Sequence, residues 1–279
     1  MTTSDSWSTA RARAEQILAS PLPQAERRRL LGAAIGLLDL TTLNATDTPG
    51  AVRALCARAR RPLEADGGAH VATACVHSSL VGVASEALDG SAVRPCAVAG
   101  AFPHGQAPLS VKIAEVRAAL EAGAAEIDIV INRGMLLDGK LEQVVAEVGA
   151  MREPVGATPG AILKVILETC EIPDAELLRE VAAAVIEQLG PGDFLKTSTG
   201  KGAAGATPEG AVIMLETIAS AARAGKAIGF KAAGGLRTPE DAISYMRLAA
   251  AIAGPDWLDP QRLRLGASTL LDRLAQALA

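Results

Sequence analysis

Short β-rich runs alternate with longer amphipathic stretches along most of the chain, the stretches opening on helix caps and closing on glycine. Runs at 36–42 (GLLDLTT), 69–76 (AHVATACV), 92–98 (AVRPCAV), 125–132 (AEIDIVIN), 161–168 (AILKVILE), 193–198 (DFLKTS), 227–232 (AIGFKA) and 262–266 (RLRLG) predict eight strands. Thr207-Pro208-Glu209 and Thr238-Pro239-Glu240-Asp241 each offer a capping hydroxyl, a first-turn proline and acids against the positive helix end. Gly123, Gly190, Gly225 and Gly254 fall where helix-to-strand connections call for a residue that tolerates positive φ. Eight strands alternating with helices over residues 35–279 fit a closed (β/α)8 TIM barrel. No G-x-G-x-x-G follows the first strand to favour an open doubly wound sheet. Residues 1–34 lie outside this count as a helical N-terminal extension. Its segments RARAEQILAS and QAERRRLLGAAI read as two short helices split by Pro21-Leu22-Pro23, expected to cover the bottom of the barrel or a subunit contact.

Side chains alternate faces along a strand, so polar residues can be assigned to the barrel interior or to its helix-covered outside. In AEIDIVIN the outer set Ile127, Ile129 and Ile131 is apolar, which turns Glu126, Asp128, Val130 and Asn132 inward. The same phase groups Lys164, Ile166 and Glu168; Phe194, Lys196 and Ser198; and Asp39 with Thr41. Lys231 alternates with Phe230 and Ala232. Several acids and lysines from different strands thus converge inside one barrel, where an unpaired charge costs several kcal/mol.

Composition narrows the possibilities. With 49% apolar and 21% charged residues in 279, the chain can bury a sizeable core. A net charge of −4 and six aromatic residues argue against a nucleic-acid partner. No stretch reaches the ~20 apolar residues of a membrane span, and the N-terminus has no apolar run, so a cytoplasmic protein without a membrane partner is expected. Cys56, Cys75, Cys96 and Cys170 form no C-x-x-C, and His70, His77 and His104 stand apart. Neither a disulfide framework nor a metal site is expected.

Lysine usage is more pointed. The chain has twenty arginines and seven lysines, yet Lys164, Lys196, Lys201 and Lys231 fall in or just after predicted strands. Unlike arginine, lysine can lose its proton when its pKa is depressed. A desolvated lysine beside a second cation should have a lowered pKa, and its free amine can attack a carbonyl to form a Schiff base. The iminium is then an electron sink for carbon–carbon bond cleavage, with an acid/base group moving protons. Lys196, Lys231 and Asp128 meet those requirements. The loops after the seventh and eighth strands, AAGGLRT and GASTLL, carry Gly234, Gly235, Gly266, Ser268 and Thr269, where barrels commonly bind phosphate on backbone N–H groups. Gly200 and Lys201 after the sixth strand could complete that cradle.

LLDLTTLN at 37–44, FPHG at 102–105, EIDIVIN at 126–132, LKVILET at 163–169, FLKTSTGK at 194–201, GFKAAGGLRT at 229–238 and LRLGAST at 263–269 together resemble the deoxyribose-phosphate aldolases, in the family's order. The resemblance implies metal-free, cofactor-free class I cleavage of 2-deoxy-D-ribose 5-phosphate to D-glyceraldehyde 3-phosphate and acetaldehyde, in deoxyribose phosphate catabolism, by a homodimer or larger assembly. It makes Lys196 the Schiff-base lysine, Lys231 the second catalytic lysine and Asp128 the acid/base. Gly200, Lys201, Gly234, Gly235 and Ser268 would hold the phosphate, with Thr269 standing where a second serine is common. Asp39, Thr41, Cys75 and Lys164 would line the substrate end. Ala232 departs from a frequent proline, one residue more than usual precedes Phe102, and the only tyrosine, Tyr245, falls in a predicted helix rather than in a terminal tail. A different class I phosphosugar aldolase and a non-catalytic phosphosugar-binding barrel share the same fold, which alone does not separate the three.

Overall fold

A computed structural model describes residues 3–63 and 69–279. Two helices, α1 (Thr3–Ala19) and α2 (Gln24–Gly36), precede β1 (Leu38–Thr41), α3 (Pro49–Arg60), β2 (Thr73–His77), α4 (Val81–Leu88) and β3 (Arg94–Ala99). Then come α5 (Leu109–Glu121), β4 (Glu126–Val130), α6 (Arg133–Leu137), α7 (Leu141–Gly156), β5 (Ile162–Ile166), α8 (Ala175–Ile186) and β6 (Phe194–Lys196). The chain ends with α9 (Pro208–Arg223), β7 (Gly229–Ala233), α10 (Pro239–Ala253), β8 (Leu263–Ala267) and α11 (Leu270–Leu278). The strands pair in parallel in sequence order, and β1 pairs with β8, so the expected TIM barrel is closed.

The alternation that predicted the strands also builds the core. Leu38, Leu40, Ile127, Ile129, Leu163, Val165, Leu195, Phe230, Leu263 and Leu265 face outward into one apolar cluster with the helices. A separate cluster of Leu43, Cys75, Cys96 and Val98 fills part of the interior. Each fully buried Leu, Ile or Val contributes about 1.5–3 kcal/mol relative to exposure.

Thr207 and Thr238 cap α9 and α10, each accepting a backbone N–H through its hydroxyl, with proline in the first turn. Gly123, Gly225 and Gly254 adopt positive φ as expected, but Gly190 does not. The left-handed residue of that connection is Gly192, at φ 85°. A Cβ at Gly190 would stand 2.2 Å from a guanidinium nitrogen of Arg152, so that side chain would have to shift.

Pro21-Leu22-Pro23 separates α1 from α2 as expected. Helix α1 packs on α8, α9 and α10, and α2 packs on α10 and α11, so both lie along the helical wall. Arg247 of α10 donates to the carbonyls of Ile17, Leu18 and Ser20, and Trp7 donates to that of Pro173. Tyr245 is buried in α10, as the sequence predicts. No helix among the described residues is long and apolar enough to cross a membrane.

Candidate active site

Strand register brings the interior charges together. Asp128 pairs with Lys164 across β4 and β5, and Lys196 sits directly opposite Lys231 across β6 and β7. At the floor, Lys164 donates to Asp128 Oδ1 at 2.8 Å and its ammonium lies 2.6 Å from Glu126 Oε2. Arg264 donates to Asp39 Oδ1 at 2.7 Å and to Glu126 Oε1 at 3.0 Å, and its guanidinium lies 5.3 Å from the centre of the Phe194 ring. Above them Asp128 Oδ2 accepts from two ammoniums, Lys196 at 2.7 Å and Lys231 at 2.8 Å, and Lys231 also donates to Asp39. Gly266 makes this possible, because a Cβ there would lie 3.0 Å from Lys231 Cε.

Lys231, the second cation beside Lys196, is itself held in its charged form. Burial opposes its charge, but the carboxylates of Asp128 and Asp39 outweigh burial and hold the ammonium above the ordinary lysine range. Lys164 is raised for the same reason, chiefly by Asp128. Burial likewise opposes the charge on Asp128 and Asp39, yet the surrounding cations hold both carboxyls well below the ordinary range.

Above this cluster opens a cavity of about 330 Å³. Lys196 lines it, whereas Lys164 and Lys231 do not. Its wall includes Thr41, Gly200, Lys201, Gly234, Gly235, Ser268 and Thr269. Gly200, Gly234 and Gly235 are left-handed, at φ 74°, 84° and 82°. Among the described residues the backbone N–H groups of Gly200, Gly234, Gly235, Ser268 and Thr269 have no hydrogen-bond partner. Unpaired N–H groups on residues of the cavity wall, beside a lysine and the start of α11, suit an anion. The Lys201 ammonium donates across the mouth to the Leu43 carbonyl at 2.5 Å.

A family-wide sequence profile described as DeoC/LacD family aldolase matches residues 33–275. The chain belongs to the DeoC/LacD aldolase family. Carbon–carbon bond cleavage or formation is therefore its chemistry. Among solved structures it is similar to a candidate deoxyribose-phosphate aldolase from Coccidioides immitis, at 26% identity and TM-score 0.75 over 100% of this chain and 99% of that one. An aldolase designated QR15 matches at 28% identity and TM-score 0.70, over 88% of this chain and 96% of its own. The deoxyribose phosphate aldolase of Aeropyrum pernix, described as a tetramer, matches at 25% identity and TM-score 0.65, over 91% and 97%.

All thirteen site residues picked from the sequence fall in this region of the family barrel, in two layers. Thr41, Lys196 and the six residues of the expected cradle line the cavity, while Asp39, Cys75, Asp128, Lys164 and Lys231 are buried beneath it. Sequence reasoning missed Arg264, although alternation in RLRLG sets Arg264 opposite Leu263 and Leu265. It also missed that Cys75 and Cys96, far apart in sequence, are register partners on β2 and β3. Their thiols and Asp128 bring possible ligand atoms within 4.8 Å of one another, a grouping that spacing alone did not suggest. Both Asp128 oxygens there already accept from lysine ammoniums. Glu168 departs from its expected phase. Its left-handed conformation (φ 56°) carries the carboxylate away from Lys164 to the loop after β6, where it accepts from Thr199.

Proposed function

We propose that the chain is a deoxyribose-phosphate aldolase that cleaves 2-deoxy-D-ribose 5-phosphate reversibly to D-glyceraldehyde 3-phosphate and acetaldehyde. The observation that carries this reading is the position of Lys196. Of the three lysines on Asp128, it alone reaches a cavity whose wall also carries five unpaired backbone N–H groups.

In this mechanism the Lys196 amine attacks C1 of the open-chain sugar, and the carbinolamine loses water to give an iminium. The C3 hydroxyl gives up its proton, the C2–C3 bond breaks, and its electron pair moves into the iminium to form an enamine. D-glyceraldehyde 3-phosphate departs, C2 is protonated, and water hydrolyses the remaining iminium to acetaldehyde and free Lys196. Asp128, at 2.7 Å from the Lys196 nitrogen, is the acid/base group within reach of the carbinolamine. Lys231 stays charged and fixes the Asp128 carboxylate in that position.

Gly200, Lys201, Gly234, Gly235, Ser268 and Thr269 hold the 5-phosphate, and Thr41 meets the sugar. Asp39, Cys75 and Lys164 support the reacting end from below. The same reading extends to deoxyribose phosphate catabolism in the cytoplasm and to a homo-oligomer, without cofactor or metal.

Borohydride reduction in the presence of 2-deoxyribose 5-phosphate, followed by peptide mapping, is expected to leave the adduct on Lys196. An adduct on Lys231 would overturn the assignment, and no adduct would favour a non-catalytic sugar-phosphate binder. Turnover of a different phosphosugar in preference would move the reading to another class I aldolase.

A further inference from the structure

Glu168 is fully buried and takes a left-handed conformation that side chains rarely adopt, at the point where β5 gives way to its loop. Glycine is the ordinary occupant of such a position, so a glutamate kept there indicates that the carboxylate is needed. Its Oε2 accepts the Thr199 N–H at 3.1 Å and the Thr199 hydroxyl at 2.5 Å. With its proton committed to Glu168, the Thr199 hydroxyl accepts the Lys201 N–H at 3.1 Å. The amides on either side of Gly200 are therefore pinned, and the Gly200 N–H between them is left without a partner.

Arg133 completes the arrangement. Its guanidinium lies 3.6 Å from Glu168 and 2.8 Å from Glu171, and it donates to the Pro103 carbonyl at 3.1 Å. One arginine thus links the loops after β3, β4 and β5, and Glu168 carries the link on to the loop after β6. A carboxylate close to an anion site weakens anion binding by repulsion, so geometry rather than charge must account for its presence.

We propose that Glu168 is a positioning residue that shapes the loop at Thr199–Lys201 for phosphate, acting through Thr199 without touching the substrate. This rests on the phosphate-binding reading of the cavity given above. Two measurements test it: calorimetric titration of the full chain with inorganic phosphate, and steady-state kinetics on 2-deoxyribose 5-phosphate and on unphosphorylated 2-deoxyribose. Glu168→Gly, which removes the carboxylate while suiting the backbone, is expected to weaken phosphate binding and raise KM for the phosphorylated sugar by about tenfold. Its kcat/KM for 2-deoxyribose should stay within about twofold, because the lysine chemistry is untouched. Glu168→Gln, whose amide oxygen can accept both bonds from Thr199, should bind phosphate at least as tightly as the unaltered chain.

Equal losses on both sugars in the glycine variant, unchanged phosphate affinity in it, or a glutamine variant as weak as the glycine one would each overturn the proposal. If Glu168→Gly does not fold, Thr199→Val removes the bridging hydroxyl and is expected to weaken phosphate binding about threefold; unchanged affinity there overturns the proposal equally. An unaltered chain that binds phosphate but cleaves neither sugar would refute the aldolase reading and leave the titrations to decide the role of Glu168. One that binds no phosphate would overturn that role.

Discussion

At the floor of the barrel Lys164 and Arg264 are surrounded by carboxylates and fully enclosed by strands. At the mouth Lys196 shares one carboxylate oxygen with Lys231, Lys201 rests on a backbone carbonyl, and several N–H groups have no partner. Both regions are built from inward-facing positions of the strands and from their ends. They differ in how far the polar groups are satisfied. The ion pairs at the floor fix its geometry, although the buried Thr73 hydroxyl on β2 has no partner, and the open N–H groups at the mouth leave capacity for a ligand.

The contrast is broken most severely at the boundary between the layers. Lys231→Met keeps an unbranched side chain one atom shorter but removes the charge that holds Asp128 in place. It should lower kcat by about 10²–10⁴-fold with the far-ultraviolet circular dichroism unchanged. Near-normal turnover would show that Lys196 and Asp128 suffice alone.

At the floor the effect should fall on stability. Glu126→Gln leaves Lys164 and Arg264 short of a carboxylate, and removing one partner of a buried pair costs about 3–5 kcal/mol. Lys164 and Arg264 hold the Glu126 carboxyl below its ordinary range, against burial. A depressed carboxyl contributes stability that is complete above its unfolded pKa, about 4.3, and is lost as pH falls through the folded value. Urea unfolding should therefore show a large gap between variant and unaltered chain at neutral pH and a narrowing one below about pH 4. A gap independent of pH would mean that packing, not charge, makes the floor.

The smallest effect belongs to the mouth. Lys201→Ala removes one cation from a cradle that retains its backbone donors, so KM for the phosphorylated sugar should rise about 10- to 100-fold. Unphosphorylated 2-deoxyribose should be handled as before; an equal loss on both would detach Lys201 from the phosphate.

Much of the barrel was legible because each strand carries its own alternation, and inward polar residues stand out against outward Ile, Leu and Val. Caps at Thr207 and Thr238 were legible for the same local reason. Relations between strands were not, because register depends on the closed sheet rather than on any one segment. Neither the contact of Cys75 with Cys96 nor the grip of Asp39 and Asp128 on Lys231 follows from a single run of sequence. Glu168 failed differently, since strand phase continues only while the backbone stays extended, and a left-handed residue ends it. Gly190 and Gly192 show the same limit, for GPG places two glycines so close that only the folded chain tells which one turns.

The Lys201 ammonium spans the mouth to the Leu43 carbonyl before any ligand arrives. A free lysine carries about 2 kcal/mol of rotamer entropy, which binding would ordinarily have to overcome. Here the bond to Leu43 already restricts that freedom, so a phosphate bound as proposed would exchange one acceptor for another instead of immobilising a mobile side chain. Preorganisation of this kind would favour fast recognition of the proposed small, doubly charged group by a chain whose net charge is itself negative.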